Sequence, residues 1–342
     1  MFPQAKAAMP VKVWLPTLRA GTGADVYTER VAAGLERRGM QACVTWHNRY
    51  FELFPYLLGR VPLPLQTDIV LANSWYGHAF RRQQARLIIA AHHCVHDAAC
   101  TPYKSVLQKI YHAAFIYRHE QRSFMKADRV VAISNYTADT VTRIFNVRRP
   151  DVIYNGIDTD FFSPGQMTAG KKKFNLLFVG TPSRRKGFDL LPLIMQKLGN
   201  RFTLLYTGKS GQVTRDSVEN MQNAGWLDGN ALVAASRECD ALLFPSRYEG
   251  FGYAVCEAMA CGKPVIASDN SSLPELVSHN ETGILCKTDD IDAFVDAARL
   301  LADNPDLAKR MGEAGRERVL QNFTLEKMTD NYIRLYEEVL SS

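Results

Sequence analysis

Pro245-Ser246-Arg247-Tyr248-Glu249-Gly250-Phe251-Gly252-Tyr253-Ala254-Val255-Cys256-Glu257-Ala258-Met259-Ala260-Cys261-Gly262-Lys263-Pro264-Val265-Ile266-Ala267 implies a tight loop, a helix and a strand in sequence, entered from the apolar strand Ala241 to Phe244. Gly250 and Gly252 let the backbone approach a ligand, and the helix that follows leaves its first N–H groups unpaired, which favours an anion. Glu257 falls just over one turn into that helix, whereas Glu249 stays on the loop before it. A loop separates the two acids, so they are not an i,i+4 surface pair. They can approach opposite ends of one elongated, phosphate-bearing ligand.

Two glutamates with seven residues between them, around Gly-Phe-Gly and ahead of Glu-Ala-Met-Ala-x-Gly-x-Pro-Val-Ile-Ala, resemble the donor-sugar signature of retaining GT-B glycosyltransferases of the glycosyltransferase 4 group. The resemblance implies an α/β fold of two Rossmann-like, doubly wound domains facing each other across a cleft. It also implies a domain layout: 1–165 for the acceptor, 166–324 for the nucleotide-sugar donor, and a final helix, 325–342, crossing back onto the first domain. Alternating strand-like and helix-like segments agree with that architecture. Strands are expected at 11–15, 68–72, 86–91, 129–133, 151–154, 175–179, 202–206 and 241–244. Helices are expected at 23–38, 103–127, 188–198, 299–320 and 325–340.

A transferase that breaks a glycosidic bond to a diphosphate must hold the negative charge that builds on the leaving group. Gly180-Thr181-Pro182-Ser183-Arg184-Arg185-Lys186-Gly187 supplies three cations in a loop after a strand, where ligands bind in open α/β sheets. It is similar to the family's Gly-Arg-x(n)-Lys-Gly loop, with Thr181 in place of the arginine. Lys186 then takes the lysine role, and Arg185 or Arg184 the arginine role. In the first half, Thr22-Gly23-Ala24-Asp25-Val26 lacks the third glycine of a Rossmann fingerprint. It is similar to the family's Gly-Gly loop, which makes Gly23 the candidate for a backbone contact with the diphosphate.

His92-His93-Cys94-Val95-His96-Asp97 holds zinc-type ligands, but consecutive side chains crowd poorly round one ion and no second cluster completes the set. The segment follows a strand, as the family's cleft histidine does, and either His93 or His92 fills that place. By the same resemblance Glu249 faces the donor sugar, beside the backbone N–H groups of Phe251 and Gly252. Glu257 binds the ribose hydroxyls, Gly250 to Gly252 open the anion-binding helix, and Trp226 lies in the loop that seats the base.

At 342 residues the chain has length for two domains. It holds no apolar run of ~18 residues, and its start, with one lysine and no apolar segment, does not read as a secretory signal. Seven scattered cysteines without a Cys-x-x-Cys pair fit reduced thiols in the cytoplasm. Residues 1–165 carry 20 Lys+Arg against 12 Asp+Glu, an excess of +8, whereas the remainder carries 21 against 23. That asymmetry suggests an anionic acceptor, an anionic membrane surface or a merely solvated face, with Lys104, Lys109, Arg118, Arg122 and Lys126 in one helical region, and no nucleic-acid partner is expected. The aromatic-rich segment 50–58 reads either as an acceptor- or membrane-facing loop or as a buried helix.

The expected reaction is transfer of a sugar, with retention, from a nucleoside diphosphate sugar to an acceptor hydroxyl on a glycan or glycolipid. A UDP-sugar is favoured and GDP-mannose is the other donor. The expected setting is cell-surface polysaccharide, lipopolysaccharide or glycolipid synthesis at the inner membrane face, with no cofactor or metal required. A sugar-nucleotide epimerase of the same architecture, which needs no acceptor, and a non-catalytic nucleotide-sugar-binding protein are the alternatives.

Overall fold

The computed structural model describes residues 11–165, 173–208 and 218–342. The leader, 1–10, and the expected join at 166–172 lie outside the described residues. The first lobe contains β1 (Lys12–Arg19), α1 (Gly23–Arg37), β2 (Gln41–Asn48), β3 (Ile69–Asn73), β4 (Arg86–Ala91), α2 (Val106–Tyr111), α3 (Tyr117–Lys126), β5 (Arg129–Ala132), α4 (Asn135–Phe145) and β6 (Asp151–Val152). The second contains β7 (Phe174–Phe178), α5 (Leu191–Leu198), β8 (Phe202–Tyr206), β9 (Met221–Asn223), α6 (Gly229–Glu238), β10 (Ala241–Phe244), α7 (Tyr253–Ala260), β11 (Val265–Ser268), α8 (Leu273–Leu276), β12 (Gly283–Cys286), α9 (Ile291–Asp303) and α10 (Pro305–Asn322). The last helix, α11 (Leu325–Ser341), lies against α1, where Tyr27 and Tyr332 share a hydroxyl hydrogen bond and Arg38 meets Asp330 at 2.9 Å.

Every strand pair is parallel, in the orders β2-β1-β3-β4-β5-β6 and β12-β11-β10-β7-β8-β9. In each sheet the strand order reverses once, between β1 and β3 and between β7 and β10. Such reversals open a crevice beyond the carboxyl ends of the strands, where ligands sit. The crevice of the second sheet is flanked by the loops 180–187 and 245–252. The sheets hold because their central strands are apolar without alternation. Leu87 to Ala91 and Ala241 to Phe244 are buried throughout, as strands covered on both faces must be. One core runs through both lobes, from Leu35 of α1 through Tyr332 and Tyr336 of α11 to Phe251 and Val255.

Four sequence expectations are corrected. β2, β9 and β12 are not among the strands the sequence predicts: β2 is an edge strand of half-exposed residues and β9 and β12 are three and four residues long, so none carries a strong apolar run. The helix expected over 299–320 breaks at Asn304, because Pro305 has no N–H to continue α9 and instead starts α10. The region 103–127 is not one regular helix, since residues 112–116 form a π turn between α2 and α3. The 50–58 segment is not a buried helix but two short 3₁₀ turns, 49–52 and 55–60, with Tyr50, Leu53, Phe54 and Tyr56 exposed.

Candidate active site

Two loops of the second lobe meet at its crevice. Gly187 allows the meeting: its φ is +71°, and a Cβ there would lie 2.0 Å from the Pro245 carbonyl oxygen, so neither the conformation nor the space admits another residue. Lys186 is thereby brought against the second loop, where its Nζ donates to Glu249 Oε1 at 2.5 Å. Ser246 Oγ donates to the same oxygen at 2.6 Å. Arg185 Nη1 donates to the Tyr248 carbonyl at 2.7 Å and stands 3.9 Å from Glu249 Oε2. The Lys186 ammonium also lies 5.3 Å from the Phe244 ring centroid.

This cluster joins two cations to one carboxylate in a largely water-free place, leaving an excess of positive charge. Burial alone would raise the Glu249 carboxyl, but Lys186 and Arg185 outweigh it and hold the group below its ordinary value. Burial lowers the Lys186 ammonium, an effect that Glu249 opposes and Arg185 reinforces. An anion arriving here meets donors that need no rearrangement of solvent.

Of the two arginines the sequence left open, Arg185 joins the cluster and Arg184 points to solvent. Arg247, which the sequence reading did not single out, pins this loop. Its backbone N–H donates to the Arg185 carbonyl at 2.8 Å, and its buried guanidinium reaches the Arg184 carbonyl, Asp189 at 2.6 Å and Asp289 at 2.5 Å. No motif flagged it, because its partners lie about sixty residues upstream and forty downstream.

Glu249 and Glu257 serve different neighbours. α7 begins at Tyr253 behind Gly252, whose φ is +111°, so the free N–H end of the helix opens on the loop between the two acids. Glu257, on the first-lobe side of α7, pairs with Arg30 of α1, Nη2 to Oε1, at 2.7 Å. The Glu257 side chain is buried and that of Arg30 largely covered, and the Arg30 guanidinium stacks 4.6 Å from the Tyr253 ring centroid. Arg30 was also missing from the sequence reading, since no spacing rule links residues on opposite lobes. Gly23, at the start of α1, faces the same ring: a Cβ there would lie 3.6 Å from Tyr253 Cδ2.

The first lobe closes over the second-lobe loop at Gly250, where a Cβ would sit 1.9 Å from the His92 carbonyl oxygen. Tyr248 donates its hydroxyl to the Cys94 carbonyl at 2.8 Å. The neighbouring histidines diverge. His92 sets its ring edge-on to Tyr27, centroids 4.4 Å apart, and burial lowers its pKa to about 4. His93 lies toward the cluster, lowered to about 3 by burial and then by the charge of Arg185, and packs 6.2 Å from Trp75. His96 turns instead to Glu120, at 3.1 Å. Among the described residues no group of three or more His, Cys, Asp or Glu side chains is placed to hold a metal ion.

Trp226 lies beyond β9 at the edge of the second sheet and is 62% exposed, so it is not a core tryptophan. On the outer surface of the first lobe, Tyr111 donates to Glu52 at 3.1 Å and ties α2 to the first 3₁₀ turn. Tyr50, Leu53 and Phe54 in and after that turn are exposed, as are Val106, Leu107 and Ile110 on α2. Arg118, Arg122 and Lys126 follow along α3 at four-residue intervals, all exposed. Lys104 departs from the expected basic face: its ammonium is turned inward onto the Val95 carbonyl. No helix among the described residues is long and apolar enough to cross a membrane.

Residues 162–318 match the family model of glycosyl transferases group 1, and residues 44–161 match that of glycosyltransferase family 4. The chain belongs to the glycosyltransferase 4 family. A curated relative, an uncharacterized glycosyltransferase of Methanocaldococcus jannaschii, is 29% identical over 62% of this chain and 60% of its own length. The chain therefore spans less than two thirds of that relative. Among solved structures, the sucrose-phosphate synthase of Thermosynechococcus elongatus superposes with a TM-score of 0.82 at 20% identity, covering 97% of this chain and 99% of that one. Anabaena HepE, solved with UDP and glucose, gives 0.75 at 17% identity over 96% and 99%. These likenesses establish the GT-B fold for this glycosyltransferase 4 family member, two parallel six-stranded α/β sheets facing one another.

Proposed function

We propose that this glycosyltransferase 4 family member transfers a sugar from a nucleoside diphosphate sugar to an acceptor hydroxyl, with retention of configuration and without a metal ion. The observation that carries the reading is the buried Lys186–Glu249 pair, with Arg185 beside it, at the crevice of the second sheet. A UDP-sugar is the favoured donor, in keeping with a fold shared with HepE, which was solved with UDP.

In this reading the diphosphate takes Lys186 and Arg185 as partners, and the N-terminal end of α7, with Gly23 opposite, adds backbone N–H groups. Glu249, released from Lys186, receives hydroxyls of the transferred sugar. Its carboxylate already accepts from Lys186 and Ser246, which suits hydrogen bonding better than nucleophilic attack. The acceptor hydroxyl therefore attacks on the face that the diphosphate leaves. The C1–O bond to the β-phosphate breaks as the new C1–O bond forms, and the hydroxyl proton passes to the departing phosphate oxygen. His93, held neutral by burial, donates or accepts a hydrogen bond at the sugar without adding charge. Glu257 holds the ribose hydroxyls and Trp226 stacks against the base.

For the acceptor, the apolar tip at 50–56 and 106–110 followed by Arg118, Arg122 and Lys126 supports an anionic, lipid-linked glycan at the cytoplasmic membrane face. The test of the function is turnover. Radiolabelled UDP-glucose, UDP-galactose, UDP-N-acetylglucosamine and GDP-mannose are incubated with the protein alone and with membrane lipid extract. Label transferred to lipid is the expected result. Conversion of free donor to its epimer without acceptor would replace transfer with epimerisation, and nucleotide binding without either would leave a non-catalytic binder.

A further inference from the structure

Arg30 comes from the lobe opposite to Glu257, yet its guanidinium occupies only Oε1 of that carboxylate. Its Nη1 is spent on the Gly156 carbonyl at 3.3 Å, and its face lies on Tyr253. Three contacts from two segments, α7 and the turn at Gly156, thus fix one guanidinium. The Tyr253 ring that it covers also borders Gly23, and the Tyr253 hydroxyl is buried without a hydrogen-bond partner among the described residues. Glu257 Oε2 faces no cation there among the described residues.

We propose that Arg30 is a positioning residue for the donor: it orients the Glu257 carboxylate across the cleft, engaging Oε1 and presenting Oε2 to the ribose hydroxyls. The proposal rests on the reading of Glu257 as the ribose carboxylate. Because Arg30 stands on α1, that posture exists only while the lobes are together, so nucleotide affinity becomes coupled to lobe closure. Acting through Glu257 rather than at the reacting atoms, Arg30 governs donor KM and leaves kcat nearly unchanged, since ribose contacts are equal in ground and transition states.

The test compares UDP with 2′-deoxy-UDP and 3′-deoxy-UDP by calorimetry in the wild type, Arg30→Met, Arg30→Lys and Glu257→Gln, with circular dichroism confirming each fold. A hydrogen bond to a charged acceptor corresponds to about 10-fold or more in affinity, so the wild type should prefer UDP over the deoxy forms by about that factor. Arg30→Met should shrink the preference below about 2-fold, as Glu257→Gln does, and Arg30→Lys should restore part of it. A wild-type preference that survives undiminished in Arg30→Met overturns the positioning role while keeping Glu257 at the ribose. Absence of any preference in the wild type overturns the ribose reading itself, and the proposal with it.

Discussion

The two sides of the cleft are built on different principles. On the second lobe, Glu249 is buried and takes a short contact from the largely covered Lys186, the half-exposed Arg185 stands beside them, and a further layer led by the buried Arg247 pins the loop beneath. On the first lobe, the matching sheet ends in histidines that burial, reinforced at His93 by the charge of Arg185, keeps neutral, and its tip is a set of short turns with exposed aromatic and aliphatic side chains. A preorganised cation cluster suits a ligand group of fixed charge and shape, such as a diphosphate. A tip of irregular turns suits a partner whose chemistry varies. In the proposed reading, one architecture thus keeps its donor chemistry rigid while the acceptor side is free to differ.

The sharpest way to break the contrast is Lys186→Ala. If the lysine meets charge that grows as the bond breaks, kcat should fall by about 100-fold or more, equivalent to on the order of 3 kcal/mol, while the affinity for uridine stays near the wild type. A change confined to KM would make the cluster a ground-state anchor only. Next in size is the division between the acids. Glu257→Ala should raise donor KM about tenfold with kcat almost kept, whereas Glu249→Ala should reduce kcat. Identical profiles from the two variants would erase the distinction drawn from their separate partners.

A smaller effect concerns the first lobe. His92 and His93 have folded pKa values depressed to about 4 and about 3. Both states are neutral at high pH; as pH falls below about 6.5 the unfolded chain takes protons that the folded one refuses. Stability is therefore full above about pH 6.5 and declines toward pH 4. The melting temperature should drop over this window, and the drop should be shallower in His93→Asn. The least effect per residue is expected at the tip, where each cation near an anionic bilayer contributes about 1 kcal/mol, screened by salt. Neutralising Lys109, Arg118, Arg122 and Lys126 should weaken co-sedimentation with anionic liposomes at low salt and change nothing with neutral ones. Equal sedimentation with both lipid types would leave the basic stripe as a solvated face and favour a soluble acceptor.

The sequence shows the second-lobe side of the cleft more clearly than the first-lobe side, for a physical reason. Glu249, Gly250, Gly252 and Lys186 lie on loops that begin at strand ends and need glycine at fixed steps, and Glu257 lies on the helix that one of these loops opens, so a contiguous motif marks them. Arg30 and Arg247 act through partners on distant segments, and spacing carries no trace of that. Choosing Arg185 over Arg184 depended on which side chain the turn at Gly187 directs inward. The break at Asn304–Pro305 was legible in the proline and was passed over, because the apolar period on either side of it stays in phase. Short or half-exposed strands such as β2 and β9 draw their identity from their sheet neighbours rather than from their own residues.

The central claim is that Lys186 and its neighbours recognise a diphosphate. Calorimetry of uridine, UMP and UDP with the wild type and Lys186→Met tests it directly. Charge-assisted contacts to the phosphates should make UDP bind the wild type about 100-fold more tightly than uridine, and Lys186→Met should remove at least tenfold of that difference while uridine binding is unchanged. An equal preference for UDP in both proteins would contradict the account.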